Sequence, residues 1–465
     1  MSAGIGSAAT GAQVAPRFRV AICGGGLGGL TLAATLARHC SDIQCDVYEA
    51  SSWISTAGAG IGTWQRTWRI LERLGLDQGL VEKAFSPPKP GKHTALTLRR
   101  SDISDGGFNF YDLVAPYGMT PLHRADLFDA LLRSLPETYT VHTSKRLSAY
   151  IMSEGEAGSV TLHFADGSTA TADILVGADG VKSKTRAQMY ADLENAACTD
   201  EHLGRYQDPK WSGIIAYRSV FPTAELLARF RGHPVAFGAV THCGKGKSIM
   251  AYPIASGKMI NVVAYVSDPS KEGMPFPRKW ETPATSEEVL AEYEDWEPQA
   301  LAIIKCMTQT SAWAIHVVDA LPHYVHGSVA LLGDAARHSL RYMCAHASTP
   351  YIGSGVGQAM EDAYILGRLL AHPATNYGNL AEALSVYEDA RLPVANAVVQ
   401  RARRAGRLYQ FDLDEWYDGQ RGPAERKQLD ALSDQVYRQF EWIWGDGPDV
   451  AWEEAKNVWE ARSCR

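Results

Sequence analysis

The chain has 465 residues, 46% of them hydrophobic and 21% charged, with a formal net charge of −7. That length accommodates two or three domains with a substantial core, and the acidic balance excludes an electrostatic footprint for nucleic acid or an anionic membrane surface. Eight cysteines lie scattered without a CxxC pair or a Cys/His cluster at metal-ligand spacing, which excludes a disulfide scaffold and a metal centre and points to a reducing, cytoplasmic setting.

Residues 1–16 are rich in Ser, Gly and Ala and lack a basic leader segment, so they read as a disordered tail. Val20 to Ala37 runs 18 residues without a charge, long enough to raise the question of a membrane span. Five of those residues are glycines, so the run divides into a strand (17–23), a turn and a helix (27–39) instead. A second strand follows over 44–48 and a helix over 64–76, closed by Gly75. Pro87, Pro88, Pro90 and Gly91 mark a crossover. An apolar stripe from Leu127 to Leu135 gives a helix, and strands at 160–164 and 173–176 enclose an Asp166-Gly167 turn. From about 210 to 268 short alternating strands (213–220, 248–252, 260–266) predict an antiparallel sheet. Beyond it, 286–307 reads as helix and 328–332 as a buried strand. Helices over 356–371 and 379–411 lead into a tail holding five of the twelve tryptophans.

The expected fold class is α/β: a Rossmann-like nucleotide domain, an inserted antiparallel β-sheet substrate domain and a helical C-terminus. The nucleotide domain is discontinuous over 17–95, 120–200 and 320–400. The inserted domain takes 96–119 and 201–319, and the helical region 401–465.

Three segments carry the chemistry. Gly24, Gly26 and Gly29 form GxGxxG between strand and helix, where the first glycine permits the turn and the second lets backbone approach a pyrophosphate. The third allows tight helix–strand packing. Glu49 stands twenty residues past Gly29, at a strand end, where an acid can accept ribose hydroxyls. Gly177-Ala178-Asp179-Gly180, with Ser183 and Arg186, follows a second strand. Leu332-Gly333-Asp334-Ala335-Ala336 follows a third, although an Asp there could simply cap a helix.

Together these segments resemble the single-component flavoprotein aromatic hydroxylases, the para-hydroxybenzoate and salicylate hydroxylase group, over roughly residues 17 to 400. The marks are GxGxxG, GADGxxSxxR and GDAAHxxxPxxGxGxxxxxEDA. The resemblance implies non-covalently bound FAD, with NADH or NADPH as a transient co-substrate, dioxygen, and a phenolic substrate. It implies that Asp334 holds the ribityl chain and that Asp179 senses nucleotide and nicotinamide. Gly60 and Arg124 would also touch the cofactor, and Gly353, Gly355 and Val356 would turn N–H groups to the flavin ring. Two departures stand out. Ser55-Thr56-Ala57 replaces an acidic residue of the family. Residues 337–345 interrupt the third motif, so that His346 and Pro350, rather than His338, match its His and Pro. Those nine residues are either a genuine loop or an error in the gene model, and the pattern restored by removing them favours the error.

Hydroxylation of a phenol needs a cation and a hydrogen-bonding partner at the substrate oxygen. Arg218 and Tyr252 resemble an Arg/Tyr pair of fungal phenol hydroxylases in this family, against a plain reading as a strand arginine and a core tyrosine. His316 is a weaker candidate, since a lone histidine near a strand is more often a structural hydrogen bonder. Arg401, Arg403, Arg404 and Arg407 read as a solvated helix face, and the C-terminal tryptophans as packing residues. The expected activity is FAD-dependent, NAD(P)H-consuming hydroxylation most like that of salicylate hydroxylase, with loss of carbon dioxide to leave a catechol. Non-decarboxylating or dearomatising hydroxylation of a polyketide phenol is the alternative among hydroxylases. A two-domain NAD dehydrogenase and a GDP-dissociation-inhibitor-like binding protein represent other classes. The expected assembly is a monomer or homodimer.

Overall fold

The computed structural model describes residues 15–53, 60–153, 158–196, 202–336, 350–419 and 421–464. Ser55-Thr56-Ala57, His338, His346 and the whole 337–345 interruption lie outside them.

The nucleotide-type half is built on a six-stranded sheet. Its order is Val325–His326, Val329–Leu331, Ile174–Gly177, Phe18–Cys23, Ile43–Tyr48 and Thr140–His142. Every pairing is parallel except that of the first two strands. A parallel sheet is covered on both faces, and its strands read as near-continuous apolar runs, as FRVAIC and ILVG do here. One face is covered by helix Leu27–His39 against a second helix, Gly355–Ala371, buried along almost its whole length. A three-stranded meander (Leu147–Met152, Val160–Phe164, Thr169–Ala172) contains the expected turn, with Gly167 at φ +82°.

The inserted half is an eight-stranded sheet in the order Glu281–Ala284, Thr310–Val317, Lys210–Pro222, Met259–Ser267, Lys247–Ile254, Val240–Gly244, Lys92–Arg100 and Phe108–Pro116. It is antiparallel at every pairing but one, Val240–Gly244 against Lys92–Arg100. Helix Thr223–Arg229 and the turn Pro234–Ala236 carry the chain between Lys210–Pro222 and Val240–Gly244, so the latter is no simple hairpin partner of its predecessor. Strand alternation divides Met259–Ser267 cleanly. Ile260, Val262 and Ala264 pack among the helices behind the sheet, whereas Asn261, Val263 and Tyr265 turn to the opposite face, where they line cavities.

The single helix expected over 286–307 is two helices, Ser286–Glu292 and Pro298–Ile304. A Thr285/Glu288 capping box starts the first, and Pro298 starts the second. The residue before a proline is pushed out of helical conformation, and Glu297 is extended at φ −59°, ψ 155°. The C-terminal region is helical: the 30-residue helix Leu380–Tyr409, then Glu425–Phe440 and Pro448–Ser463. Trp452 and Trp459 are buried in the core that contains helix Gly355–Ala371, as packing residues should be. Arg403 and Arg407 are exposed and paired with Glu272 and Asp412, which makes that stretch a solvated face.

Candidate active site

Register brings the three motifs to one place. Cys23 pairs with Tyr48 on one side and with Gly177 on the other, and Gly177 pairs with Leu331. These four residues end their strands at the same carboxyl edge, and each runs directly into a motif turn: Gly24, Glu49, Ala178-Asp179 and Leu332-Gly333-Asp334. Ligands bind at the carboxyl edges of such sheets, and a cleft of about 830 Å³ opens there. Gly24, Gly26, Glu49, Arg124, Asp179, Arg218, Asp334 and Val356 all line it.

The turn geometry matches the residue types. Gly24 sits at φ +116°, and a Cβ there would meet the Ala178 carbonyl oxygen at 2.1 Å, so only glycine closes this turn. Gly26 has open space where its Cβ would be. Gly29 lies behind, buried against the Gly24 carbonyl, a packing position and not a lining one. The Glu49 carboxylate accepts from the N–H groups of Gly25 (2.9 Å) and Ser51 (2.8 Å), which fixes it at the cleft edge.

Asp179 has a second task. It accepts from the Lys184 N–H (2.8 Å), the Thr185 N–H (3.0 Å) and the Ser183 hydroxyl (2.5 Å), so it caps helix Lys184–Ala196 while lining the cleft. Ser183 in turn accepts from the Arg186 N–H at 2.8 Å. Arg186, fully buried, donates to the Val181 carbonyl at 2.5 Å and to that of Ala335 at 3.4 Å, joining two motif turns. Loss of hydration pulls its guanidinium down to about 10.

Helix Gly355–Ala371 begins at Ser354, and the first N–H groups of a helix have no acceptor within it. Val356 lines the cleft and Gly353 (φ +59°) an adjoining cavity, while Gly355 is buried and lines neither. The helix is held by an ionic cluster that the sequence reading did not anticipate. Arg391, on the long helix, donates to Asp362 (2.8 Å), Glu361 (3.3 Å) and Gln358 (2.8 Å). Arg66 binds Glu361 through two nitrogens, at 2.8 and 3.0 Å. Asp362 also accepts from the Gly333 N–H at 3.2 Å, which ties the helix to the Asp334 turn. Arg391, Glu361 and Asp362 are buried, and the nearby guanidinium groups hold Glu361 down at about 2 despite burial.

Behind the cleft lies a smaller, more enclosed lobe of about 50 Å³. Gly60, Arg218, Tyr252 and Gly353 line it, as do Met250, Val263, Tyr265 and Phe440. Arg218 borders both cavities. The Tyr252 hydroxyl donates to the Gly60 carbonyl at 3.0 Å, and the Gly60 N–H donates to Asn261 Oδ1 at 3.0 Å. A Cβ on Gly60 would meet the Tyr252 ring at 2.9 Å, so this close approach requires glycine. Burial raises Tyr252, against the lowering pull of Arg218, and the phenol stays protonated. Asn261 Nδ2 is buried, has no hydrogen-bond partner and belongs to a residue lining the cleft. An unpaired amide donor, the open space at Gly26 and the free N–H groups of a helix start are the features that a flavin dinucleotide, with its pyrophosphate and ring carbonyls, would satisfy.

Two other polar groupings lie apart. Ser101, His242 and Glu297 form a buried cluster in which Ser101 Oγ donates to Glu297 at 2.6 Å and lies 2.8 Å from His242 Nδ1. None of the three lines either cavity. His316 stacks on Trp280 with ring centroids 3.5 Å apart and bonds the Ala314 carbonyl, a structural role. Among the described residues no group of three His, Cys, Asp or Glu side chains is arranged for a metal, and no helix is long and apolar enough to cross a membrane.

Comparison with known proteins completes the description. Residues 17–402 match the family model described as FAD binding domain. Salicylate hydroxylase of Pseudomonas putida is 33% identical over 445 residues, covering 94% of this chain and 95% of the relative. The FAD-dependent monooxygenase str9 of Strobilurus tenacellus is 32% identical, covering 96% and 98%. Among solved structures, a salicylate hydroxylase substrate complex superposes with a TM-score of 0.77 at 29% identity, covering 95% of this chain and 98% of that one.

Proposed function

We propose, from the premise that this chain belongs to the FAD binding domain family and is an FAD-dependent monooxygenase, that it hydroxylates a phenolic ring as its salicylate hydroxylase relatives are named for doing. The observation that carries the reading is the position of Arg218, among the described residues the one charged residue lining both the cofactor-sized cleft and the enclosed lobe, which Tyr252 also lines.

When bound, FAD supplies dioxygen activation at the expense of NAD(P)H, and one oxygen atom goes to an electron-rich ring. In this reading Glu49 takes the ribose, the Gly24–Gly26 turn and Arg124 the pyrophosphate region, and Asp334 the ribityl chain. Gly60, Gly353, Gly355 and Val356 serve the ring, and Asp179 the region where nicotinamide arrives. The protein's task at the substrate is to hold a phenol oxygen with phenolate character. The Tyr252 proton is committed to the Gly60 carbonyl, so its hydroxyl oxygen is left to accept the substrate O–H. Arg218 offsets the charge that grows on the substrate oxygen.

A panel of phenols scored for NAD(P)H oxidation, with products identified by mass, tests this reading. A catechol formed with loss of carbon dioxide from salicylate marks the decarboxylative course, and a product that keeps the carboxyl group marks the alternative. Absence of any hydroxylated product across the panel refutes the proposal. The same reading keeps the enzyme in the cytoplasm, as monomer or homodimer, consistent with the six free thiols among the described residues.

A further inference from the structure

Tyr265 is a buried polar group for which the chemistry above has no use. Its side chain is 1% exposed, it lines the lobe, and its hydroxyl has no hydrogen-bond partner. The side chain is nonetheless well fixed. Its own carbonyl accepts from the Tyr293 hydroxyl at 2.9 Å, and its ring packs on Tyr351 with centroids 4.7 Å apart. Buried hydroxyls are ordinarily paired, because an unpaired one forfeits its hydration for nothing. Where such a group faces a ligand cavity, the missing partner is an atom held in that cavity, a ligand's or the water that a ligand displaces. Burial also raises this phenol well above its ordinary range, which keeps it a donor at neutral pH.

Size and chemistry define what it would meet. A cavity of about 150 Å³ takes up one benzene ring, so a lobe of about 50 Å³ admits a substituent and not the ring. Leu96, Met119, Ala239, Met250, Val263 and Phe440 make its apolar wall, and among the described residues Arg218 is the only charged one lining it. A carboxylate deep in such a space would lose its hydration without a second cation, whereas a short neutral acceptor needs a single donor.

We propose that this lobe is a substituent subsite, in which the Tyr265 hydroxyl donates a hydrogen bond to a small uncharged acceptor carried by the substrate ring. Tyr265 is then a specificity-determining residue, and the proposal rests on the reading that the ring is a phenol bound beside Arg218.

The test measures binding to the FAD-loaded enzyme by calorimetry, separately from turnover. The ligands are salicylates bearing hydroxymethyl, ethyl or tert-butyl at each free ring position in turn. At one position hydroxymethyl should bind roughly tenfold more tightly than ethyl, the scale of one hydrogen bond, and tert-butyl should bind more weakly than either. In Tyr265→Phe the preference for hydroxymethyl over ethyl should fall to near one. Removal of an unpaired hydroxyl should not lower the melting temperature of the ligand-free holoenzyme. Absence of any preference in the parent enzyme, or a preference that survives in Tyr265→Phe, overturns the proposal. A preference that behaves as expected while no salicylate is hydroxylated supports the subsite and overturns the hydroxylase reading instead.

Discussion

On the nucleotide wall of the cleft, Cys23, Tyr48, Gly177 and Leu331 end side by side, and each hands the chain to a turn whose side chains stay within a few residues of that edge. On the substrate wall, Arg218, Tyr252, Asn261 and Tyr265 come from three different strands and share a face only through pleat and pairing, with Val220 opposite Asn261 and Asn261 opposite Tyr252. A one-residue slip on the first wall would move a turn. On the second it would turn the whole polar set away from the cavity. The nucleotide wall is thus specified locally, and the substrate wall by sheet register and by what packs behind it.

The comparison is sharpest where a distant residue supports the nucleotide wall. Arg391→Ala leaves Glu361 and Asp362 buried with a partner missing, a change that costs about 3–5 kcal/mol. The expected result is a large fall in melting temperature together with poor FAD retention, even though Arg391 lines neither cavity. Thermal melts with and without added FAD check it, and a variant that melts normally and keeps its flavin would break the link between the cluster and the helix it holds.

The substrate wall should fail differently. Arg218→Ala should keep FAD and fold yet lose hydroxylation by about a hundredfold, or ~3 kcal/mol, with NAD(P)H oxidation running to peroxide. Product formed per NAD(P)H consumed is the measure. Tyr252→Phe removes only the bond to the Gly60 carbonyl and the acceptor for the substrate, and a loss of about tenfold is expected. Near-normal coupling in both variants would make the pair structural.

The smallest expected effect concerns pH and lies away from both walls. His233 is buried, and loss of hydration lowers it to about 4. The unfolded chain therefore binds the extra proton between about pH 6.5 and 4. Its contribution is complete above that window and shrinks as pH falls through it, by an amount on the order of 1 kcal/mol. Urea midpoints at pH 7.5 and 5 should differ, and His233→Gln should shrink the difference by its share, while His39, His242 and His316, lowered by the same loss of hydration, keep the rest. Carboxylates such as Glu361, held near 2, titrate below this range and do not confuse the test.

How legible each wall was in the sequence follows from the same contrast. Gly24 and Glu49 could be placed in advance because turn chemistry next to a strand is a local signal, Asp179 and Asp334 only because the segments around them resemble family motifs, and the structure sets all four on one cleft. Arg218 and Tyr252 were reachable only through their resemblance to a family pair. Asn261, Tyr265 and Phe440 were not reachable at all, because an Asn, a Tyr and a Phe in amphipathic segments look like any others until pairing decides which way they face. Arg391 lay in a helix whose arginines otherwise read as solvated, and the signal for its partners was the Glu361-Asp362 pair in an apolar run. The break at Tyr293–Glu297 was readable in hindsight from Pro298.

Gly60 leaves one consequence. Its N–H is held by Asn261 and its carbonyl by Tyr252, so a single residue of the nucleotide half is anchored to the substrate sheet through both its backbone polar groups. Whatever shifts the Tyr252 hydroxyl, including a phenol's arrival, pulls on the backbone expected to border the flavin, and a change at the flavin pulls back on the phenol. Linkage makes that exchange reciprocal: the factor by which substrate alters affinity for one state of the cofactor over another is the factor by which the cofactor's state alters affinity for substrate.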